Sequence, residues 1–128
     1  MQHKFVEFIP DELASDILYI SLDYGSAVHK CGCGCGEEIV TPLSPTDWKI
    51  TFNGETVSLH PSVGNWSLPC QSHYLIKENQ IVWCGKWSKK QIQSGRHADS
   101  VIKQKFFKQR LSKWQSILSW ISRRLGLR

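Results

Sequence analysis

The 128-residue chain contains no stretch of about 18 consecutive apolar residues, so no helix is expected to span a bilayer. Its N-terminal stretch, Met1-Gln2-His3-Lys4-Phe5-Val6-Glu7-Phe8, lacks the apolar run of a secretory leader, and a cytoplasmic address is expected. Internal repeats and low-complexity tracts are missing, which leaves one small domain with a modest core that would gain from a staple. Acid is missing from residues 101–128, which hold eight Lys or Arg, while the rest of the chain holds the other eight and all eleven Asp and Glu. A slightly acidic body is therefore followed by a strongly basic tail, a pattern that suits an acidic partner, an anionic membrane surface or a nucleic acid. No His-Glu pair with the spacing of a catalytic zinc site occurs either. The only carboxylates beside the cysteines, Glu37 and Glu38, read as solvated, and no catalytic residue is assigned.

Five cysteines are present, an odd number, and three of them alternate with glycine in Cys31-Gly32-Cys33-Gly34-Cys35-Gly36. Cysteines at that spacing bridge one another poorly because disulfide geometry is restrictive. In a reducing compartment such a cluster reads as metal ligands. Zinc takes four Cys or His ligands in a tetrahedron, and the interleaved glycines allow the backbone to turn sharply around an ion. Cys70-Gln71-Ser72-His73 supplies a second half-site. The candidate ligands are thus Cys31, Cys33, Cys35, Cys70 and His73, with His29 assigned to a supporting position behind them. Spacing favours Cys31 and Cys33 with Cys70 and His73, and Cys33 with Cys35 is the alternative. Cys84, after the apolar Ile81-Val82-Trp83, reads as a buried thiol.

Alternating stretches predict strands at residues 4–8 and 17–22, with a short helical turn at residues 10–14. Residues 48–60 predict a hairpin around Asn53-Gly54 with a type I′ turn, and residues 73–84 predict another turning at residues 77–79. Residues 61–69 read as a loop. The expected fold is mainly β, a small antiparallel β-sandwich or Rieske-like zinc-binding domain, followed by a C-terminal α-helix. The expected organisation is a zinc-binding β domain over 1–87, a linker over 88–97 and a basic amphipathic helix over 98–128. On that helix Phe107, Leu111, Trp114, Leu118, Ile121 and Leu125 recur at steps of three and four. Trp114, Leu118, Trp120, Ile121, Arg123 and Arg124 are the candidate partner-binding residues, suited to a groove on a protein partner. A membrane surface or a nucleic-acid backbone is the alternative occupant.

The combination of Lys4-Phe5-Val6-Glu7-Phe8-Ile9-Pro10, His29-x-Cys31-x-Cys33-Gly-Cys35-Gly, Thr41-Pro42-Leu43-Ser44-Pro45, Pro61-Ser62-Val63-Gly64-Asn65-Trp66 and Pro69-Cys70-x-Ser72-His73-Tyr74 resembles the bacterial domain-of-unknown-function 6527 family over residues 1 to about 87. Members of that family are often encoded beside ubiquitin-like proteins and their activating and conjugating enzymes. The resemblance therefore implies an accessory or adaptor role in such a modification system, with anti-phage defence as its setting, and partners drawn from those proteins. A second resemblance, to Rieske domains, covers residues 26–84 through Cys70-x-x-His73 and the turn at Asn79. It implies a 2Fe–2S cluster and electron transfer as the alternative to zinc. Cys33 stands where a Rieske domain has a histidine, which favours zinc.

Overall fold

A computed structural model describes residues 1–126 and divides the chain into two compact units, Met1–Trp87 and the residues from Ser88 onward. The fold is mainly β with a C-terminal helix, as the sequence pattern predicts.

The first unit contains two four-stranded sheets, each with its strands in chain order. In the first sheet β1 (Gln2–Phe5) runs parallel to β2 (Ile17–Ser21), and β2, β3 (Ser26–Lys30) and β4 (Glu38–Pro42) are antiparallel. The second sheet is a meander of β5 (Lys49–Phe52), β6 (Val57–Gly64), β7 (His73–Lys77) and β8 (Gln80–Trp83). One apolar cluster draws on both sheets, with Leu18, Ile20, Ala27 and Ile39 from the first and Val57, Leu59, Val63, Tyr74 and Ile76 from the second. The alternation of inward and outward residues decides this: on β4, Ile39 and Thr41 are buried while Val40 between them is exposed. β2 is buried on both faces, because Tyr19 joins Leu13 and Val28 in a second cluster on the other side.

Three local expectations are corrected. Residues 10–14 form no helical turn and only bend at 11–12, since five residues are too few to repay helix nucleation and Leu13 is instead drawn into the second cluster. The Asn53-Gly54 hairpin closes with a four-residue loop instead of a two-residue turn. There Asn53 Oδ1 accepts from the backbone N–H groups of Glu55 and Thr56 at 2.9 and 2.7 Å, which holds Asn53 at the head of a wider turn. The two-residue turn with positive φ at both central positions occurs in the other hairpin, at Glu78 and Asn79 (φ 48° and 61°) between paired Lys77 and Gln80. Asn79 also spans the hairpins. Its Oδ1 accepts from Val57 N–H at 2.8 Å and its own N–H donates to Val57 O at 3.0 Å. Asn79→Ala would leave the N–H of buried Val57 without its side-chain acceptor and put alanine, which tolerates the left-handed region less well than asparagine, at φ 61°, a combined loss of about 2–3 kcal/mol. A shift of the urea midpoint at unchanged slope measures it.

β6 does not stop at the loop expected from Pro61. It continues to Gly64 through a bulge: from Leu59↔Ile76 to Val63↔Tyr74, four steps along β6 oppose two along β7. The extra residues bend β6 around Ser62, and bulges of this kind re-aim a side chain.

The second unit is one helix, α1 (Lys89–Arg124), with no buried residue. It begins inside the expected linker, because Ser88 and Gln91 form a reciprocal capping box that starts the helix through an otherwise polar stretch. It ends at Leu125 and the positive-φ Gly126, with Arg123 and Arg124 beside the negative end of its dipole. The last two residues of the expected helix, 127–128, lie outside the described residues. No described helix is long and apolar enough to cross a membrane.

Candidate metal centre and a serine–histidine pair

The loop from Cys31 to Glu37 joins β3 to β4 and is pinned across its base by Cys31 N–H donating to Glu37 O at 2.8 Å. Gly34 and Gly36 hold φ of 86° and 84°, the left-handed values that let the chain fold back and present three sulfur atoms to one point. Cys70 arrives from the turn between β6 and β7. The ligand atoms of Cys31, Cys33, Cys35 and Cys70 all lie within 4.8 Å of one another, with Cys31–Cys33 at 3.4 Å and Cys31–Cys70 at 3.9 Å. Four thiolates around one tetrahedral ion at about 2.3 Å would sit about 3.8 Å apart. The four cysteines can therefore hold a single metal ion. All three clustered cysteines join the group.

His73 does not join it. Along Ser72-His73-Tyr74 side chains alternate between faces: Ser72 Oγ lies 3.0 Å from Cys31 Sγ, and Tyr74 OH accepts from Gly32 N–H at 3.2 Å, both on the metal side. His73 points to the other face, and both its ring nitrogens are engaged elsewhere. His29, expected behind the ligands, is fully buried with Nε2 2.6 Å from Tyr74 OH, and Tyr74 in turn holds the metal loop through Gly32. Burial lowers His29 to about 4, so its ring is neutral near pH 7. Its Nδ1 has no hydrogen-bond partner among the described residues.

The polar groups around the sulfurs are donors suited to thiolates. Ser72 Oγ is within 3.4 Å of Cys70 Sγ as well as close to Cys31, and Asn65 Nδ2 donates to Ser72 Oγ at 3.0 Å and Cys31 Sγ at 3.5 Å. Hydrogen bonding by Ser72 draws Cys70 down to about 7, whereas the bond with Cys35 pushes Cys33 up to about 12. Cys84 is half-buried and outside the cluster, with its Sγ toward Val82 O at 3.8 Å. Glu37 and Glu38 are exposed, as expected.

On the opposite face of β7, His73 Nε2 lies 2.8 Å from Ser62 Oγ and His73 Nδ1 lies 2.8 Å from Gly85 O. A carbonyl oxygen only accepts, so Nδ1 carries the proton and the Nε2 lone pair receives the Ser62 O–H. That is the tautomer a general base for a serine nucleophile requires. Trp66 and Trp87 stack at 5.7 Å and pack beside the imidazole, with centroids 5.0 and 5.2 Å from it. Gly64 makes room for Trp66, since a β-carbon there would lie 2.6 Å from the indole Nε1. The sequence reading missed Ser62, which sits in the stretch read as a loop. The signal that would have found it is a serine set in the same apolar-flanked motif as Trp66, matched by a histidine entering the next strand.

The model of a family described as bacterial ubiquitination-like system serine protease (BubE) matches residues 5–84. No curated protein and no solved structure matches the chain.

Proposed function

Since the chain belongs to the BubE family of a bacterial ubiquitination-like system, we propose that it is a serine peptidase, with Ser62 as nucleophile and His73 as its general base, acting on a ubiquitin-like protein or its conjugates. The single observation that carries the reading is the Ser62–His73–Gly85 chain of hydrogen bonds, both at 2.8 Å, in the one tautomer that activates serine. In the proposed reaction Ser62 Oγ attacks the scissile carbonyl while His73 Nε2 takes its proton. His73 then gives that proton to the departing amine, leaving an ester on Ser62. Water adds to the ester with His73 again accepting a proton, and the acid is released as Ser62 regains its hydrogen. The third member is a neutral carbonyl where many such triads have a carboxylate. It fixes the ring and its tautomer but brings no charge to the imidazolium.

Zinc is the metal best suited to the four cysteines, and its role here is structural. With four thiolate ligands no position is left for water or substrate. A 2Fe–2S cluster would spread its thiolates over two irons, beyond one tetrahedral edge, so the compact sulfur group favours one ion. The ion would hold the turn from Asn65 to Ser72, which carries Trp66 at one end and leads directly into His73 at the other. The exposed Trp114, Leu118, Trp120 and Ile121 on α1, with Arg123 and Arg124, give the chain a separate surface for docking a conjugation protein, and an adaptor role rests on that surface alone.

Incubation with conjugates of a ubiquitin-like protein tests the reading. Wild-type protein should release the free ubiquitin-like protein from its attached partner, and Ser62→Ala should leave the conjugates intact. Conjugates that persist with both proteins, or vanish with both, contradict it.

A further inference from the structure

Ser62 lies where β6 has lost its neighbour. β5 pairs with β6 only from Val57↔Phe52 to His60↔Lys49. Before Lys49 the chain turns to the other sheet, where Trp48 N–H donates to Pro42 O at 3.0 Å and Trp48 forms a bridge with Leu43. Among the described residues, no strand pairs with Pro61–Gly64 on the side away from β7. Pro61 and Gly64 are exposed and Ser62 is half-buried.

The register shows what that edge offers. Asn65 N–H donates to Ser72 O at 2.8 Å, which makes Asn65–Ser72 a hydrogen-bonded pair continuing the β6–β7 ladder. Bonded and non-bonded pairs alternate in an antiparallel ladder, so Gly64↔His73 is a non-bonded pair. The N–H and C=O of Gly64 therefore turn away from β7, toward the open edge. Two residues along the same edge stands the nucleophile. An open edge with unpaired backbone groups is a template for another strand.

We propose that the substrate enters as an extended, unfolded polypeptide segment that adds to the open edge of β6, taking the place β5 vacates after His60. Backbone hydrogen bonds to Gly64 N–H and C=O fix its register and bring one peptide carbonyl to Ser62 Oγ. Recognition through the backbone makes the site selective for extended chain and indifferent to folded surfaces. The aromatic wall of Trp66 and Trp87 borders the same face through its contact with His73. This inference rests on the peptidase reading of Ser62 and His73 and adds how the substrate binds.

The test uses the full chain and peptides made by digesting a denatured bacterial proteome. A peptide cleaved by wild type and spared by Ser62→Ala is then resynthesised with a single N-methyl group at each backbone amide in turn. Edge addition predicts an alternating response. N-methylation of the amide that faces Gly64 C=O lowers kcat/KM about tenfold or more, while its immediate neighbours, which point away from the edge, change it much less. The same peptide stapled into a helix should resist cleavage. Ser62-dependent cleavage with a flat N-methyl response, or equal cleavage of the helical peptide, overturns edge addition and leaves the peptidase reading standing. A library that is not cleaved at all, with conjugates also untouched, overturns both.

Discussion

Ser62→Ala is expected to lower kcat for amide hydrolysis by about a thousandfold or more while leaving the fold and the bound metal as they were. The side chain is half-buried and its one hydrogen bond among the described residues is the 2.8 Å bond to His73 Nε2, so the hydroxyl contributes little to stability. His73→Ala should cause a comparable loss in kcat, and the double variant should be little worse than either alone, because two residues that act as one unit lose their function once. His73 differs in one respect. It is buried against the stacked Trp66 and Trp87 and accounts for two hydrogen bonds, so its removal also costs stability. Steady-state kinetics beside denaturant melts separates the two effects. A Ser62→Ala protein with wild-type kcat would remove the serine from the reaction.

Removing the metal is expected to have the largest effect on stability. Chelation at neutral pH, or Cys31→Ser or Cys70→Ser, should lower the thermal midpoint of the β unit by about 15 °C or more. At roughly 4–8 °C per kcal/mol for a domain of this size, that is about 2–4 kcal/mol or more. The size follows from what the ion replaces. Without it four sulfur atoms are crowded within 4.8 Å, and among the described residues the two loops that carry them are joined only by side-chain hydrogen bonds such as Ser72 Oγ to Cys31 Sγ and Gly32 N–H to Tyr74 OH. Structural zinc sites supply folding free energy directly. Complete unfolding is not expected, because the apolar cluster shared by the two sheets lies mostly on strands outside those loops. Activity should fall with the metal, since Ser72 and His73 follow Cys70 in the chain and Asn65 ties Ser72 to Cys31. Ser62→Ala, in contrast, should retain a full equivalent of zinc. Calorimetry with metal analysis on the same samples measures both halves.

Much of the fold was legible because short alternating runs flanked by turn residues carry their own signal. The cysteine cluster was legible because glycine-interleaved thiols make poor strands and good metal loops. Three features were not, for separable reasons. Pro61 and Gly64 read as loop residues, yet a bulge lets β6 continue through both, and only the partner strand reveals a bulge. The start of α1 is set by Ser88 and Gln91, a capping box hidden in a polar stretch with no apolar period. His73 was the most instructive. Cys70-x-x-His73 has the spacing of a zinc half-site, but chain spacing does not say which way a side chain faces. Once residues 72–74 run as extended chain, Ser72 and Tyr74 face the sulfurs and His73 must face away, toward Ser62. The cysteine cluster and the Ser62–His73 pair thus share one segment on opposite faces, and a reading from spacing alone merges them.

The central claim is that Ser62 is a nucleophile activated by His73, and covalent labelling tests it most directly. A fluorophosphonate that reacts only with activated serines is incubated with wild type, Ser62→Ala and His73→Ala, and intact mass and peptide mapping locate the adduct. The expected result is one adduct on wild type, at Ser62, with neither variant labelled at a comparable rate. Wild-type protein that stays unlabelled, or carries its adduct on another residue with Ser62 unmodified, would contradict it.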